Sequence, residues 1–320
     1  MKLPTHIVAA ATLSIVELTA QAQSYPTKPI RLVIPVAPAG STDIVGRIFA
    51  QKLSEQMGQT IIADNRSGAG STIGSEIVAK SPPDGYTLMN VAVEFTINPG
   101  LRKLPYDPIK DFTCITQFTS GQYFLAVHPT IPVKTPKQFI ALAKSRPGQI
   151  TFGSSGPGSA NHLAGALFQQ LTGTKLVHVP YKSSGQAGIA LISGELDSIF
   201  SNVASAINSV RTGKLRAIAT TGEKRTPVAP EVPSFVESGV PRFVVAGFHL
   251  FLAPGGTPAD IVNKLNAEAQ KALDSAQIKE RLASLGLEPH GGSPAACTKF
   301  IREDIAQWTA VIKASEARAD

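Results

Sequence analysis

Blocks of apolar residues alternate with polar loops along this chain, and the first pair of blocks predicts a strand followed by a helix. Residues 32–36 form a short run rich in β-branched side chains, as expected of a buried strand. The next block has apolar residues at helical spacing: Ile44, Val45, Ile48, Phe49 and Leu53. In the loop between them Gly40 permits a tight turn, and we expect Ser41 or Thr42 to cap the helix.

The same design returns in the middle of the chain. Residues 150–152 form the predicted strand, residues 153–158 the loop, and Ser159 is the expected cap of a helix with the apolar face Leu163, Ala164, Leu167, Phe168 and Leu171. Loops at the carboxyl ends of parallel strands expose backbone N–H groups of the next helix, and these groups favour anions. Two such loops therefore predict two lobes that close on one negatively charged group.

Strand and helix patterns alternate through both halves, which indicates parallel strands joined by helical crossovers. Residues 99–112 are expected to be irregular because Pro105 and Pro108 prevent a regular helix. Residues 123–127 and 243–252 are apolar stretches that can cross between the lobes, and two crossings form a hinge beside a cleft. The C-terminal helices are expected on the first lobe, so the sequence predicts an α/β fold divided into lobe 1 (23–122 plus 248–320) and lobe 2 (123–247).

Composition narrows the class of protein. With 320 residues, of which 43% are hydrophobic and 17% charged, the chain is long enough for two ordered domains. The formal net charge is +7, but lysine and arginine are scattered and form no stripe with aromatic residues. We therefore do not expect nucleic acid as a partner, and a basic protein that handles small anions is the simpler interpretation.

The N-terminus has the parts of a secretory signal peptide: Lys2, an apolar core over residues 7–18 and small residues at the cleavage site. We expect residues 1–22 to be removed and the mature protein to function outside the cytoplasm. In that compartment Cys114 and Cys297 either form one disulfide or stay as two buried thiols. We favour the thiols because neither cysteine lies in a paired or metal-like motif.

The usual catalytic and metal-binding motifs are missing from the sequence. The glycines around residue 70 have the wrong spacing for dinucleotide binding, and residues 153–156 do not form a nucleophile elbow. Four histidines stand singly, without the spacing of metal ligands: His128, His162, His178 and His249. We therefore expect no cofactor, no metal and no enzyme activity.

Taken in order, the motifs of the mature chain resemble those of one family, the extracytoplasmic solute receptors of tripartite tricarboxylate transporters, also called the Bug family. The segments that carry the resemblance include Tyr-Pro-Thr-Lys-Pro-Ile at 25–30, the loop at 35–43, Asp-Asn-Arg-Ser-Gly-Ala-Gly at 64–70, Pro-Asp-Gly-Tyr at 83–86, Phe-Gly-Ser-Ser-Gly at 152–156, Val-Pro-Tyr-Lys at 179–182 and Gly-Thr-Pro at 256–258. Three positions depart from the usual family pattern: Ala39 precedes Gly40 where further glycines are common, Ser71 replaces a frequent glycine, and Phe248 with His249 replaces an aromatic residue before glycine.

The resemblance implies a periplasmic binding protein of type II, in which two doubly wound lobes close on a ligand in a deep cleft. It further implies that a small carboxylate is held by the first loop, through Ala39, Gly40, Ser41 and Thr42, and by the second loop, through Ser154, Ser155 and Gly156. The receptor would deliver this ligand, as a monomer, to the membrane permease of a tripartite transporter.

Four more residues are candidates for ligand contact, each with a plainer alternative. His162 either binds the ligand or is a neutral side chain that hydrogen-bonds the second loop. Tyr181 is expected at the rim and Asn202 at the carboxyl end of a strand, where cleft residues occur. Phe248 belongs either to the wall of the cleft or to the core.

The leading prediction is therefore a periplasmic solute-binding protein for a small aliphatic or aromatic carboxylate. A receptor that presents its ligand to a signalling partner is the alternative among binding proteins. An enzyme acting in the cleft is the alternative from another class. The sequence does not choose the carboxylate or the permease.

Overall fold

A computed structural model of the protein describes residues 25–38, 40–181 and 183–315. Within these residues the strands are β1 Ile30–Ile34, β2 Ile61–Asn65, β3 Thr87–Val91, β4 Phe112–Val127, β5 Thr151–Ser154, β6 Val177–Pro180, β7 Ser198–Asn202, β8 Arg216–Thr220, β9 Ala246–Pro254 and β10 Glu288–Gly291. The helices are α1 Ser41–Met57, α2 Thr72–Ala79, α3 Glu94–Leu101, α4 Pro136–Ser145, α5 Ala160–Thr172, α6 Ser184–Ser193, α7 Val203–Arg211, α8 Ala259–Asp274, α9 Ala276–Ser284 and α10 Pro294–Ser315. The predicted signal peptide, residues 1–22, lies outside the described residues.

The strands form two lobes, which confirms the predicted α/β architecture. In the first lobe β2, β1 and β3 are parallel, and antiparallel β9 joins β3 to β4, which also pairs with β10. In the second lobe β6, β5 and β7 are parallel, and β4 lies antiparallel to β7 and β8. Helical crossovers between the parallel strands place α1 and α5 at corresponding positions in the two lobes.

Strand β4 passes from one lobe to the other. Its residues 112–122 pair with β9, and its residues 123–127 pair with β7 and β8. Gly121 lies opposite Gly247 of β9 at this passage. We keep the division of the chain near residues 122 and 247 as a proposal, which the change of strand partners along β4 supports.

Part of the stretch predicted to be irregular is regular. Residues 102–111 contain no helix or strand, but helix α3 includes Pro99 in its last turns. Phe95 and Ile97 of α3 are buried (0% and 2% exposed), and the helix packs against α10. Burial of these side chains outweighs the lost hydrogen bond at one proline, an effect of tertiary packing that local pattern does not reveal.

Aromatic side chains fill the interior of each lobe. In the first lobe Phe49 of α1 stacks on Phe118, with ring centroids 3.8 Å apart, and Phe118 stacks on Phe251 at 4.7 Å. In the second lobe the buried rings are Phe168, Phe200, Phe235 and Phe243. These close-packed interiors give the loops at the strand ends a rigid base.

One prediction about a helix start is wrong, and a second is confirmed in position only. Gly40, not Ser41 or Thr42, is the N-cap of α1, and no described side chain caps this helix. Ser159 holds the N-cap position of α5, but its Oγ donates to the Gly156 carbonyl oxygen (2.6 Å) instead of accepting from the helix. In contrast the side chain of Thr135 does cap α4, because its Oγ1 accepts from the backbone N–H of Gln138 (3.2 Å).

Cys114 and Cys297 form a disulfide, so the interpretation as two buried thiols is wrong. The two cysteines are 183 residues apart, and no local motif reports their proximity. Packing of α10 on β4 brings the Cα atoms to 5.9 Å, within the range that a disulfide spans. In the part of the chain that the structure describes, no helix has the length and apolar character needed to cross a membrane.

Candidate functional site

A cavity of about 580 Å³ lies where the two lobes face each other. Its lining from the first lobe consists of Ser41, Thr42, Ile44, Ala92, Val93, Glu94, Ile97, Phe248, His249, Ser284, Leu285 and Leu287. Its lining from the second lobe consists of Tyr123, Ser155, Gly158, Ser159, Ala160, Asn161, Ser184, Asn202, Ser205 and Gly247. The volume is that of a site for a small organic molecule.

The start of α1 forms one wall of the cavity. Ser41 and Thr42 are the first two residues of the helix, and their backbone N–H groups have no acceptor within it. The buried Asn90 at the end of β3 holds this turn, because its Nδ2 donates to the Thr42 carbonyl oxygen (2.7 Å). The positive end of the helix dipole therefore meets the cavity.

The start of α5 forms the opposite wall, and Asn161 organises it. Its Oδ1 accepts from the Ser155 backbone N–H (3.3 Å) and from the Ser155 hydroxyl (3.2 Å). It also lies 2.8 Å from Ser159 Oγ, whose single proton is shared with the Gly156 carbonyl oxygen. Because the amide oxygen accepts these bonds, the amide nitrogen of this buried side chain is left to donate elsewhere. This wall therefore offers donors from an amide and a helix start, while the hydroxyls of Ser155 and Ser159 donate within the loop.

The strands that cross between the lobes form the floor. Tyr123 lies opposite Asn202 on neighbouring strands, and Gly247 lies beside both, since a Cβ atom added to this glycine would be 3.5 Å from the Tyr123 hydroxyl oxygen. Phe248 contributes to the lining and also packs edge-to-face on Phe300 of α10, with centroids 4.9 Å apart. Both alternatives for Phe248, wall and core, therefore describe its position.

His249 connects the floor to the first wall. Its Nδ1 lies 2.7 Å from Thr119 Oγ1, and its Nε2 lies 3.4 Å from Ser41 Oγ. Burial of the ring, which is 4% exposed, lowers the pKa of His249 to about 4. The ring is therefore neutral at neutral pH and adds no positive charge to the cavity.

A pair of stacked histidines lies beneath the second loop. Ser154 Oγ is 2.5 Å from His178 Nε2 and accepts from the Gly156 backbone N–H (3.0 Å). His178 stacks on His162 at 4.0 Å, and burial, followed by the proximity of His162, lowers the pKa of His178 to about 4. Ser154 is fully buried and does not line the cavity, so this contact supports the loop and is not a nucleophile presented to a ligand.

Glu94 is the one carboxyl side chain among the described lining residues. It is the first residue of α3 and follows the carboxyl end of β3. Burial raises the pKa of Glu94, while a hydrogen bond with its own backbone N–H opposes that shift. Its Oε2 is shielded from solvent and has no hydrogen-bond partner among the residues that the structure describes.

The structure places the predicted site residues in three groups. Ser41, Thr42, Ser155, Asn202 and Phe248 line the cavity. Five others are close in sequence to lining residues but do not line the cavity themselves: Gly40, Ser154, Gly156, His162 and Tyr181. Ala39 lies outside the described residues. Contact of any of these residues with a ligand stays a prediction.

The neighbours of the non-lining residues explain their positions. His162 Nδ1 accepts from the Gly158 backbone N–H (3.0 Å), which is the plainer of its two predicted roles. The Tyr181 backbone N–H donates to the Ser154 carbonyl oxygen (3.0 Å). These contacts shape the second loop from behind.

Asn161 and Glu94 are among the polar lining residues that sequence reasoning missed. Asn161 follows Ser159 in the first turn of a helix already expected at the cleft, so its position was available as a signal. Glu94 follows a predicted parallel strand at its carboxyl end, which is the same signal. Among the described residues, no group of three or more histidine, cysteine or acidic side chains is arranged to hold a metal ion.

Two lobes, crossing strands and a cavity between two helix starts define the class of this molecule as a two-lobed solute-binding protein. A family model described as "Tripartite tricarboxylate transporter family receptor" matches residues 45–316. The chain belongs to this family of receptors, which confirms the resemblance found in its motifs.

Relatives match the chain over nearly its whole length. BugT of Bordetella pertussis is 33% identical over 300 residues, which cover 93% of this chain and 92% of BugT. A protein from the gbd 5' region of Cupriavidus necator is 36% identical over 307 residues, which cover 95% of this chain and 93% of that protein.

Solved structures agree with this assignment. Rpa4515 of R. palustris with adipate has a TM-score of 0.77 and 34% identity, covering 92% of this chain and 99% of that one. MatC (Rpa3494) of Rhodopseudomonas palustris with bound malate has a TM-score of 0.74 and 31% identity, covering 90% of this chain and all of that one. The family and these structural neighbours are solute-binding proteins.

Proposed function

We propose that this protein captures a small carboxylate in the periplasm and delivers it, chemically unchanged, to the permease of a tripartite transporter. One observation carries the proposal: the starts of α1 and α5 line opposite sides of one cavity. Helix starts bind anions through free N–H groups and the helix dipole, so a carboxylate needs no arginine there. The family assignment supports the permease as the partner and the periplasm as the compartment.

Closure of the lobes follows from the same geometry. A carboxylate can accept bonds from both walls only when the lobes are close, so binding favours the closed state. Each charge-assisted hydrogen bond contributes about 1.5–3 kcal/mol, so three bonds at the upper end of this range reach the roughly 8 kcal/mol of micromolar affinity. The relatives with adipate and malate support carboxylates as the ligand class.

Calorimetry with the mature protein would test this function. We would titrate aliphatic and aromatic mono-, di- and tricarboxylates, with uncharged amides of the same shape as controls. Binding confined to carboxylates, followed by chromatographic recovery of intact ligand, is the expected result. Slow conversion of the ligand would instead favour an enzyme, and no response to any carboxylate would contradict the proposal.

Variants of the two loops would test the clamp. Gly40→Val and Ser155→Phe each place bulk where a ligand would approach backbone N–H groups, and we expect each to weaken binding at least about tenfold. Ser145→Phe is the control, because Ser145 is exposed at the end of α4 and does not line the cavity. Full affinity in both loop variants would show that the ligand is held elsewhere.

A further inference from the structure

Glu94 brings a carboxyl group into a cavity for which we propose a carboxylate ligand. Its side chain lines the cavity at the start of α3, and its Oε2 atom is shielded from solvent without a hydrogen-bond partner among the described residues. An unsatisfied polar oxygen destabilises the protein that contains it, so such an atom in a binding cavity points to a partner supplied by the ligand.

No cation of the described cavity lining stabilises the carboxylate form of Glu94. These lining residues include neither lysine nor arginine. His249, the one histidine among them, is neutral because burial lowers its pKa to about 4. A positive charge close to Glu94 therefore has to come with the ligand.

Burial raises the pKa of Glu94, and its position at the start of α3 opposes that rise. As the first residue of α3, it lies at the positive end of the helix dipole, and its own backbone N–H hydrogen-bonds its carboxyl group. A positively charged ligand group beside Glu94 would stabilise its carboxylate form in the same direction.

The cavity thus attracts groups of opposite charge at two different positions. The starts of α1 and α5 attract a negative group, whereas Glu94 attracts a hydrogen-bond donor with positive charge. A dicarboxylate would bring a second negative charge towards Glu94, and like charges at short range disfavour each other. A molecule with one carboxylate and one ammonium group satisfies both places.

We propose that the ligand is an amino-carboxylate, whose ammonium group donates to Glu94 Oε2 while its carboxylate meets the starts of α1 and α5. This inference rests on the proposed function and specifies its ligand class. It makes Glu94 a residue that determines specificity, because it selects against dicarboxylates of the same length.

Calorimetry with matched ligands would test this selection. We would compare amino-carboxylates, dicarboxylates and plain monocarboxylates of four to six carbons at pH 7.5, together with N-trimethylated versions that lack N–H donors. The expected preference of the wild type for its best amino-carboxylate over the equally long dicarboxylate is at least about tenfold, typical of a buried charge pair. Trimethylation should remove most of that preference.

The isosteric variant Glu94→Gln removes the charge and keeps the shape. We expect it to weaken amino-carboxylate binding at least about tenfold and to strengthen dicarboxylate binding. Glu280→Gln on α9, an exposed acid outside the cavity, is the matched control and should change neither.

The outcomes separate this inference from the function on which it rests. A wild type that binds dicarboxylates best, or a Glu94→Gln variant with unchanged ligand ratios, would overturn the inference and leave the carboxylate receptor standing. Failure of every carboxylate to bind would overturn the proposed function itself. If Glu94→Gln does not fold, the ligand preference of the wild type decides alone.

Discussion

Acidification should destabilise this protein through His249, a buried neutral histidine at the edge of the cavity. Its pKa falls from 6.5 to about 4 because the ring is buried. Each pKa unit corresponds to about 1.4 kcal/mol, so the shift is worth about 3 kcal/mol of unfolding free energy. Between pH 6.5 and 4 the unfolded chain binds the proton more readily than the folded chain, so stability is lost as the pH falls through this window.

Other groups act in the same window, so the His249 contribution has to be isolated. Burial raises the pKa of Asp304 to about 6, although hydrogen bonds with Thr96 and Trp308 oppose that shift. Asp304 takes up its proton in the folded state first and therefore adds stability as the pH falls from about 6 to 4. His178 acts in the same direction as His249, but it is only half-buried and contributes less.

The measurement is urea unfolding of the wild type and of His249→Asn at several pH values between about 7.5 and 4. Asparagine does not titrate and can keep the contact with Thr119. The wild type should lose about 3 kcal/mol more than the variant across this range. Ile218→Val, in the fully buried interior of the second lobe, controls for simple destabilisation and should shift the curve equally at every pH.

Parallel curves for the wild type and His249→Asn would refute the reasoning. That result would mean that the folded protein accepts a proton on the ring without cost. A difference that appears only below about pH 4 would also contradict it, because carboxylates titrate there and the histidine would already be charged.

Two further predictions concern stability. Replacing both Cys114 and Cys297 with serine should lower the unfolding free energy by about 3–5 kcal/mol, because the disulfide closes a loop of 183 residues. An unchanged urea midpoint in this double variant would contradict the prediction. Gly165→Ala places a Cβ 2.2 Å from Phe152 Cε2 and should cost about 1–3 kcal/mol, seen as a lower melting temperature. Gly188→Ala, where a Cβ meets nothing within 4 Å, is its control and should be neutral or stabilising; equal losses in both variants would count against steric overlap.

Within the first lobe, periodicity predicted the unit β1–α1, and the structure shows the strand and helix there. The second lobe repeats this agreement with β5 and α5. These units depend on side chains only a few residues apart, and short-range patterns report them well. The caps were predicted less well, because Ser41 and Ser159 were assigned from residue type while the loops fix their hydrogen bonds.

The features of the candidate site can also be divided into those that the sequence predicted and those that only the structure revealed. The sequence alone determined that two polar loops follow two strands and precede two helices, since glycine, serine and apolar spacing encode such loops locally. Only the tertiary structure decided that Asn161 and Glu94 join Ser41 in one cavity, that Ser154 turns away from it, and that Cys114 meets Cys297. These outcomes depend on how strands and helices that are distant in sequence pack together, and such long-range packing produces no periodic pattern in the sequence.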